Sequence, residues 1–128
     1  MVDIVTLIGI AFGKDDESWL SALLLSDYTT PYVIEKVIRD TVVMEWNNQI
    51  LIDRLFEAHE WLCINKPSIE TYQDDALISA CLNYRIDLIE RIMQKFKKLT
   101  FETVEKLIRF ASHHNRQDIS TLLNMFYS

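Results

Sequence analysis

The chain has few of the residues that turn a polypeptide sharply, with two glycines and two prolines among its 128 residues. Glycine and proline dominate β-turns, so their scarcity excludes a fold built from many hairpins. Helices joined by short polar connections need fewer such residues. We therefore predict an all-α protein.

Cysteine is equally scarce, and Cys63 and Cys81 both lie in apolar stretches of the sequence. Two isolated cysteines do not form the dense disulfide framework that holds small secreted domains together. We expect both side chains to be reduced and packed, as in a cytosolic protein. The sequence therefore predicts a cytoplasmic location.

Long apolar runs are also absent. The stretch at residues 4–12 is far shorter than the ~20 residues that cross a bilayer. It follows Asp3 with no basic residue, unlike a secretory signal. We interpret it as a buried first helix and expect no membrane partner.

The chain does have enough apolar material for a core. Its hydrophobic content is 49%, and a chain of this length buries roughly two thirds of its unfolded surface. We predict one helical-repeat domain over residues 1–128. The charge balance of 19 acidic and 13 basic residues, a net −6, repels nucleic acid at long range and disfavours it as a partner.

An internal repeat is the strongest positive signal. Residues 80–93 read ACLNYRIDLIERIM and residues 111–124 read ASHHNRQDISTLLN, so that Arg-x-Asp recurs at an offset of 31. Two fainter copies precede them. The four copies begin at Ala11, Val43, Ala80 and Ala111. A period near 33 residues predicts stacked helix pairs.

A small residue that ends one helix, followed by Asp-apolar-apolar at the start of the next, resembles the ankyrin repeat. The resemblance is strongest over residues 70–128, and it implies a stack of about four antiparallel helix pairs. The family has glycine between its helices, where this chain has Tyr84 and Asn115, and a Thr-Pro-Leu-His opening that no copy contains. Other helix-pair repeats are the competing interpretation. Left-handed backbone costs little for asparagine but more for tyrosine, so we expect the Tyr84 connection to differ in shape.

Helix starts and one loop can be placed as well. Thr30 before Pro31 is typical of an N-cap followed by a first helical turn, and Thr100 and Ser68 are further candidate caps. The spacing between the second and third copies holds extra residues. We therefore predict a projecting loop between His59 and Thr71.

Ankyrin-like arrays bind through loop tips and the outward faces of their first helices, and the resemblance therefore implies a protein-contact surface. The alternative for its aromatic residues, Tyr28, Trp61 and Tyr72, is that they simply pack over helix ends. The predicted surface contains Asp27, Tyr28, Glu35, Arg39, Trp61, Tyr72, Glu102, Glu105 and Arg109.

Signals for chemistry are weak. His59-Glu60-x-x-Cys63 resembles the His-Glu-x-x-His pattern of zinc proteases, but cysteine replaces the second histidine and no third ligand is apparent. The adjacent His113 and His114 point in different directions on a helix and cannot clamp one ion together. We therefore predict no catalytic residues, no metal and no cofactor.

Two functional hypotheses follow. The leading one is a small cytosolic binding module that covers the surface of one protein, as do inhibitors of the immunity-protein or viral anti-defence type. Acidic clusters at residues 15–17 and 74–75 favour a basic partner. The alternative is a nucleic-acid-associated regulator that uses the basic segment 85–98.

Self-association is a further expectation. Apolar residues end both sides of the predicted stack, where polar caps favour solubility. A homodimer through one of these ends is therefore a candidate assembly. The end residues are Leu7, Ile8 and Ile10 on one side, and Leu122, Leu123 and Phe126 on the other.

Overall fold

The computed structural model describes residues 3–127, which form eight helices and no strand. The all-α prediction is confirmed for this part of the chain. The helices are α1 (Ile4–Gly13), α2 (Glu17–Leu24), α3 (Pro31–Val43), α4 (Gln49–Asn65), α5 (Gln73–Leu82), α6 (Ile86–Lys95), α7 (Phe101–His113) and α8 (Gln117–Tyr127). No helix between residues 3 and 127 is both long and apolar enough to cross a membrane.

The chain divides into two compact units, Met1–Tyr72 and Gln73–Ser128. We call them the first and the second unit. Each holds four helices and a core of its own, and the single domain over residues 1–128 stays a prediction.

In the first unit, α1 packs against α2 and α3, and α4 packs against the same two helices. The stretch predicted as a buried first helix is α1, whose Ile8, Ala11 and Phe12 are buried. The other three helices also contribute buried apolar side chains. They include Leu20, Ile34, Val37, Ile38, Val42, Leu51, Ile52 and Leu55.

In the second unit, α5 packs against α6 and α7, and α8 packs against the same two helices. Apolar residues that recur every three or four positions along these helices supply the core. Phe101 is exposed, although its ring lies 4.8 Å from that of Tyr127. The buried residues include Leu77, Ala80, Leu88, Ile89, Ile92, Val104, Ala111, Ile119 and Leu123.

The same backbone geometry ends α1, α3, α5 and α7. After each, one residue enters the left-handed region, with φ between 53° and 59°; these residues are Asp15, Glu45, Tyr84 and Asn115. After α1, the Asp16 amide donates to the Ala11 carbonyl at 3.0 Å and the Asp15 amide donates to the Phe12 carbonyl at 3.1 Å. Equivalent pairs of bonds close the other three ends. This is the Schellman motif, which satisfies carbonyls that a helix end leaves without partners.

Two sequence expectations about these ends need correction. The Trp46 amide donates to the Thr41 carbonyl at 3.1 Å, so Thr41, and not Val43, corresponds to Ala11. Threonine fits this buried position because its hydroxyl donates to the Val37 carbonyl at 2.8 Å. Tyr84 adopts the left-handed conformation that we expected it to avoid. The Arg116 guanidinium stacks on its ring, 4.3 Å from the ring centroid.

Of the three predicted caps, one forms and two do not. The Thr30 hydroxyl accepts the Val33 amide at 3.2 Å, as expected. Thr100 makes no side-chain cap; its own amide instead donates to the Asp74 carboxylate at 2.9 Å. Ser68 lies in a non-helical stretch several residues before α5 begins.

The predicted loop between His59 and Thr71 is shorter than expected, because α4 continues to Asn65. His59 and Leu62 are both buried on this helix, so their packing extends it. The non-helical segment between α4 and α5 is residues 66–72.

Candidate functional site

An apolar groove of about 540 Å³ lies between α1 and α3 in the first unit. Its volume falls within the range of roughly 300–1,000 Å³ that is common for ligand sites. The lining residues are Val5, Thr6, Gly9, Ile10, Gly13 and Lys14 on one side, and Val37, Asp40, Val43, Met44 and Trp46 on the other. We call this feature the α1–α3 groove.

Trp46 forms one wall of the groove because the chain after α3 returns toward α1. Its ring stacks on Phe12 with centroids 5.1 Å apart. The only two glycines of the chain, Gly9 and Gly13, lie one helical turn apart and face the indole. A Cβ at Gly13 would lie 3.4 Å from Trp46 Cζ2, and one at Gly9 would lie 3.6 Å from Cη2. The indole therefore lies against the backbone of α1.

The rim of the groove exposes large apolar side chains. Val43 is 60% exposed and Met44 is 59% exposed, and Ile10 is also exposed on the opposite wall. Exposed apolar residues that gather at a concave surface mark interaction sites. Tryptophan and methionine are enriched where proteins contact one another. The groove therefore has the composition of a contact site.

Charge distinguishes the unit that carries the groove. The first unit has twelve acidic and five basic residues, a net −7, whereas the second has seven acidic and eight basic residues, a net +1. Within the groove, Lys14 and Asp40 are the charged lining residues. Asp40 accepts hydrogen bonds from Nε and Nη2 of Arg39, at 3.0 and 2.8 Å.

A buried polar cluster lies elsewhere in the same unit. Glu35 is 1% exposed and His59 is 2% exposed, and Glu35 Oε2 lies 2.7 Å from His59 Nε2. The other carboxylate oxygen accepts the Tyr72 amide at 2.5 Å and the Thr71 hydroxyl at 3.2 Å. These bonds offset the large cost of removing a carboxylate from water. Glu35 therefore joins α3, α4 and the end of the unit.

This burial corrects one predicted site residue. We expected Glu35 to face a partner, but its carboxylate contacts groups inside the first unit and is covered by them. Arg39 and Tyr72 are partly buried beside it. Arg39 Nη1 donates to the Tyr72 hydroxyl at 2.5 Å, and its guanidinium lies 4.8 Å from the Tyr72 ring. These two residues brace the segment that Glu35 holds.

The candidate zinc motif shares His59 with this cluster, and Cys63 lies beside that histidine. Cys63 Sγ lies 3.8 Å from each ring nitrogen of His59 and so favours neither. Glu35 approaches one of those nitrogens much more closely. Between residues 3 and 127 there is no group of three or more histidine, cysteine or acidic side chains placed to hold a metal ion.

Other predicted contact residues lie at one end of the first unit. Trp61 lines a pocket of about 220 Å³ together with Leu25, Ser26 and Lys66. Asp27 is almost fully exposed, and its carboxylate lies 3.7 Å from Lys66 Nζ. Tyr28 is exposed in the same turn. We call Leu25, Asp27, Tyr28 and Trp61 the Trp61 patch.

The remaining predicted contact residues belong to α7 in the second unit. Glu102, Glu105 and Arg109 are exposed, and their spacing of three and four residues places them on one helix face. Glu102 pairs with Lys106 at 3.1 Å, which is an ordinary exposed ion pair.

The apolar end residues are less available than the sequence suggested. Ile8 and Leu123 are fully buried in the cores of their units. Ile10 and Phe126 remain exposed, as does Met125 beside Phe126. A homodimer through an end stays a prediction, with these three side chains as its candidate contacts.

The repeated Arg-x-Asp phrase forms the same fork twice. Arg85 donates Nε and Nη2 to the two oxygens of Asp87 at 3.2 and 3.1 Å, and Arg116 does so to Asp118 at 3.1 and 3.0 Å. The hydrogen bonds from Arg116 lower the pKa of Asp118. In the basic segment 85–98, Arg85 is thus matched by a carboxylate.

None of the nine predicted contact residues lines the α1–α3 groove. The sequence held one unused signal for it. Gly9 lies inside a helix, where glycine costs about 1 kcal/mol relative to alanine, and the only other glycine of the chain follows one turn later. Such a pair indicates that something approaches the helix backbone closely.

Comparison of the chain with protein-family models, with curated proteins and with solved structures gave no match, so that the functional assignment depends on the geometry described above.

Proposed function

We propose that the chain is a small protein-binding module that captures one partner and acts by covering part of its surface. The α1–α3 groove carries this proposal. It combines exposed apolar side chains, a tryptophan wall and a concave shape in one place. Burial of such side chains provides most of the free energy of protein association.

The proposed architecture is a degenerate ankyrin-like repeat of four helix pairs. The four Schellman motifs support it, because they recur after alternate helices and precede the buried apolar residues of the next helix. In such a repeat α1 and α3 are first helices, and their outward faces meet partners. The groove lies between these two helices.

The mode of action that we propose is inhibition in the cytoplasm, by analogy with immunity proteins and viral anti-defence inhibitors. Cys63 and Cys81 each carry a thiol, which suits a reducing compartment. An inhibitor that works by occlusion needs a binding surface and no chemistry of its own.

Site-specific photo-crosslinking in the cells of origin tests the proposal. A benzophenone residue replaces Met44 at the groove, Leu25 in the Trp61 patch, or Glu102 on α7; all three positions are exposed. We expect one dominant protein adduct from position 44 and little from position 102. No adduct at position 44, or the same mixture at all three positions, would contradict the proposal.

A nucleic-acid-associated regulator is the second candidate. The observation that favours it is the net +1 charge of the second unit, with Lys97 and Lys98 exposed just after α6. Binding through phosphates weakens steeply as salt is added. A gel-shift titration with duplex DNA and single-stranded RNA at low salt tests this candidate, and the absence of any shift would remove it.

A further inference from the structure

We infer that the α1–α3 groove takes a cationic amphipathic helix of the partner protein, with apolar residues on one face and lysine or arginine on the other. The inference rests on the proposed function and specifies the chemistry of the partner at that site. Three features of the first unit lead to it.

The first feature is the length of the groove. Its lining runs from Val5 to Lys14 along α1 and from Val37 to Met44 along α3. At 1.5 Å per residue these walls extend for about 13 and 10 Å. Two turns of a helix cover the same distance and present apolar residues at positions i, i+3 or i+4, and i+7. The groove therefore matches the recurring arrangement of anchors on an amphipathic helix.

The second feature is the apolar surface that such a helix would cover. Trp46, Met44 and Val43 line one side, and Ile10 faces them from α1. The indole is held in place by its stack on Phe12 and by its contact with α1. A wall that is rigid before binding loses less conformational entropy when the partner docks.

The third feature is charge. Lys14 and Asp40 are the charged residues that line the groove, and Asp40 also accepts hydrogen bonds from Arg39. The exposed Glu45 lies between Met44 and Trp46 in the sequence. Exposed carboxylates also flank both ends of α1, at Asp3, Asp15 and Asp16. With a net −7 on the unit, a basic helix is attracted, whereas an acidic helix, nucleic acid and an anionic membrane surface are repelled.

Calorimetric titration of the whole chain with three synthetic peptides of about 18 residues, long enough for five helical turns, tests the inference. The first peptide is an amphipathic helix of leucine and lysine. The second has the same composition in scrambled order, and the third replaces each lysine by glutamate. We expect the first to bind, the scrambled peptide to bind at least about tenfold more weakly, and the acidic peptide not to bind. We expect the affinity of the first peptide to decrease as the salt concentration is raised from about 50 to about 300 mM, because added ions screen the charges.

Matched variants locate the site. Met44→Lys places a cation at the groove, and Leu25→Lys makes the same change in the Trp61 patch. Both side chains are exposed, so both variants are expected to fold as the parent does, which helix content and thermal midpoint by circular dichroism verify. We expect Met44→Lys to weaken binding of the cationic peptide at least about tenfold. Leu25→Lys should leave its affinity within about twofold of that of the parent. We expect Glu45→Gln to lower the salt dependence of cationic-peptide binding, because it removes an exposed carboxylate next to Met44 and Trp46.

Three outcomes would overturn the inference: no binding by the cationic helix, equal binding by the scrambled or acidic peptide, or a loss caused by Leu25→Lys and not by Met44→Lys. These failures differ from failure of the proposed function. If crosslinking at position 44 captures a protein but mass spectrometry maps the crosslink to a segment that is neither helical nor basic, the binding module stands and the inference falls. If crosslinking captures nothing at that position, the proposed function itself fails.

Discussion

The two units end their helices in the same way but differ in what they expose. In each unit, two helices finish with a left-handed residue and the same two hydrogen bonds. The first unit carries a net −7, a buried Glu35–His59 pair and the α1–α3 groove; the second carries a net +1 and two Arg-x-Asp forks. Helix-end geometry is thus shared, and the features that suggest function are those in which the units differ.

The groove itself arises where the first unit departs from regularity. Both helix pairs of the second unit and the α1–α2 pair have three-residue connections, but the α3–α4 connection has five. The longer connection contains Trp46, and Asn48 secures its end. Asn48 accepts the Ile50 amide at 3.1 Å, caps α4, and donates to the Asp15 carboxylate at 2.9 Å. The departure is therefore stabilised by specific hydrogen bonds.

The buried carboxylate of Glu35 is a feature of the first unit, and its removal should have the largest effect on stability. We expect Glu35→Ala to lower the free energy of unfolding by about 3–5 kcal/mol, because it leaves His59, Thr71 and the Tyr72 amide without their shared acceptor. Urea unfolding followed by circular dichroism measures this change. Glu102→Ala, an exposed carboxylate in the second unit, is the matched control and should change it by less than about 0.5 kcal/mol. A loss below about 1 kcal/mol for Glu35→Ala would show that the cluster is not structural.

The two thiols give the next contrast, one in each unit. Burial raises the pKa of Cys81 to about 12, whereas Cys63 is exposed on α4. Because the thiolate is the reactive form, iodoacetamide at about pH 8 should label Cys63 at least about a hundredfold faster than Cys81. Intact-mass spectrometry counts the labels, and both cysteines should react in denaturant. Equal labelling rates in the native protein would mean that the core around Cys81 opens readily.

Left-handed residues allow the shared helix ends to be compared directly. We expect Tyr84→Gly to raise the free energy of unfolding by about 1 kcal/mol, since glycine adopts this backbone without the side-chain penalty. Loss of the stack with Arg116 reduces the gain. Asn115→Gly should stabilise less, because asparagine tolerates this conformation better than tyrosine. Thermal unfolding of both variants provides the ranking, and a destabilised Tyr84→Gly would show that the stack outweighs the strain.

Much of the helix framework could be predicted from the sequence, because it depends on local patterns. These patterns act within a few residues along the chain. They are the scarcity of glycine and proline, the apolar stretch at residues 4–12 and the Thr30-Pro31 start. The left-handed conformation of Asn115 after α7 also followed from the repeat. The shape at Tyr84 did not, because the Arg116 guanidinium that stacks on its ring lies 32 residues away in the sequence.

The candidate site was less predictable because its residues come together only in three dimensions. Trp46 reaches α1 through the α3–α4 connection, and a repeat alignment that matches Val43 rather than Thr41 with Ala11 does not reveal this. The ankyrin resemblance places Glu35 on an outward helix face, but its carboxylate is buried. Its partners His59 and Tyr72 lie 24 and 37 residues away in the sequence.

The smallest expected effect is on stability in acid. It compares one exposed carboxylate in each unit, Asp3 in the first and Asp118 in the second. Hydrogen bonds from Arg116 lower the pKa of Asp118, and the Thr6 amide lowers the pKa of Asp3. A lowered pKa in the folded state means that ionisation stabilises the fold above the unfolded value of 3.8, and that this stability is lost as the pH falls through the folded pKa. We therefore expect Asp118→Asn and Asp3→Asn to lower the urea midpoint slightly at pH 6 and to match the parent near pH 2.5. Both groups are exposed, so solvent screening keeps the changes small. A difference for either variant that persists unchanged at low pH would assign that residue a role independent of its charge.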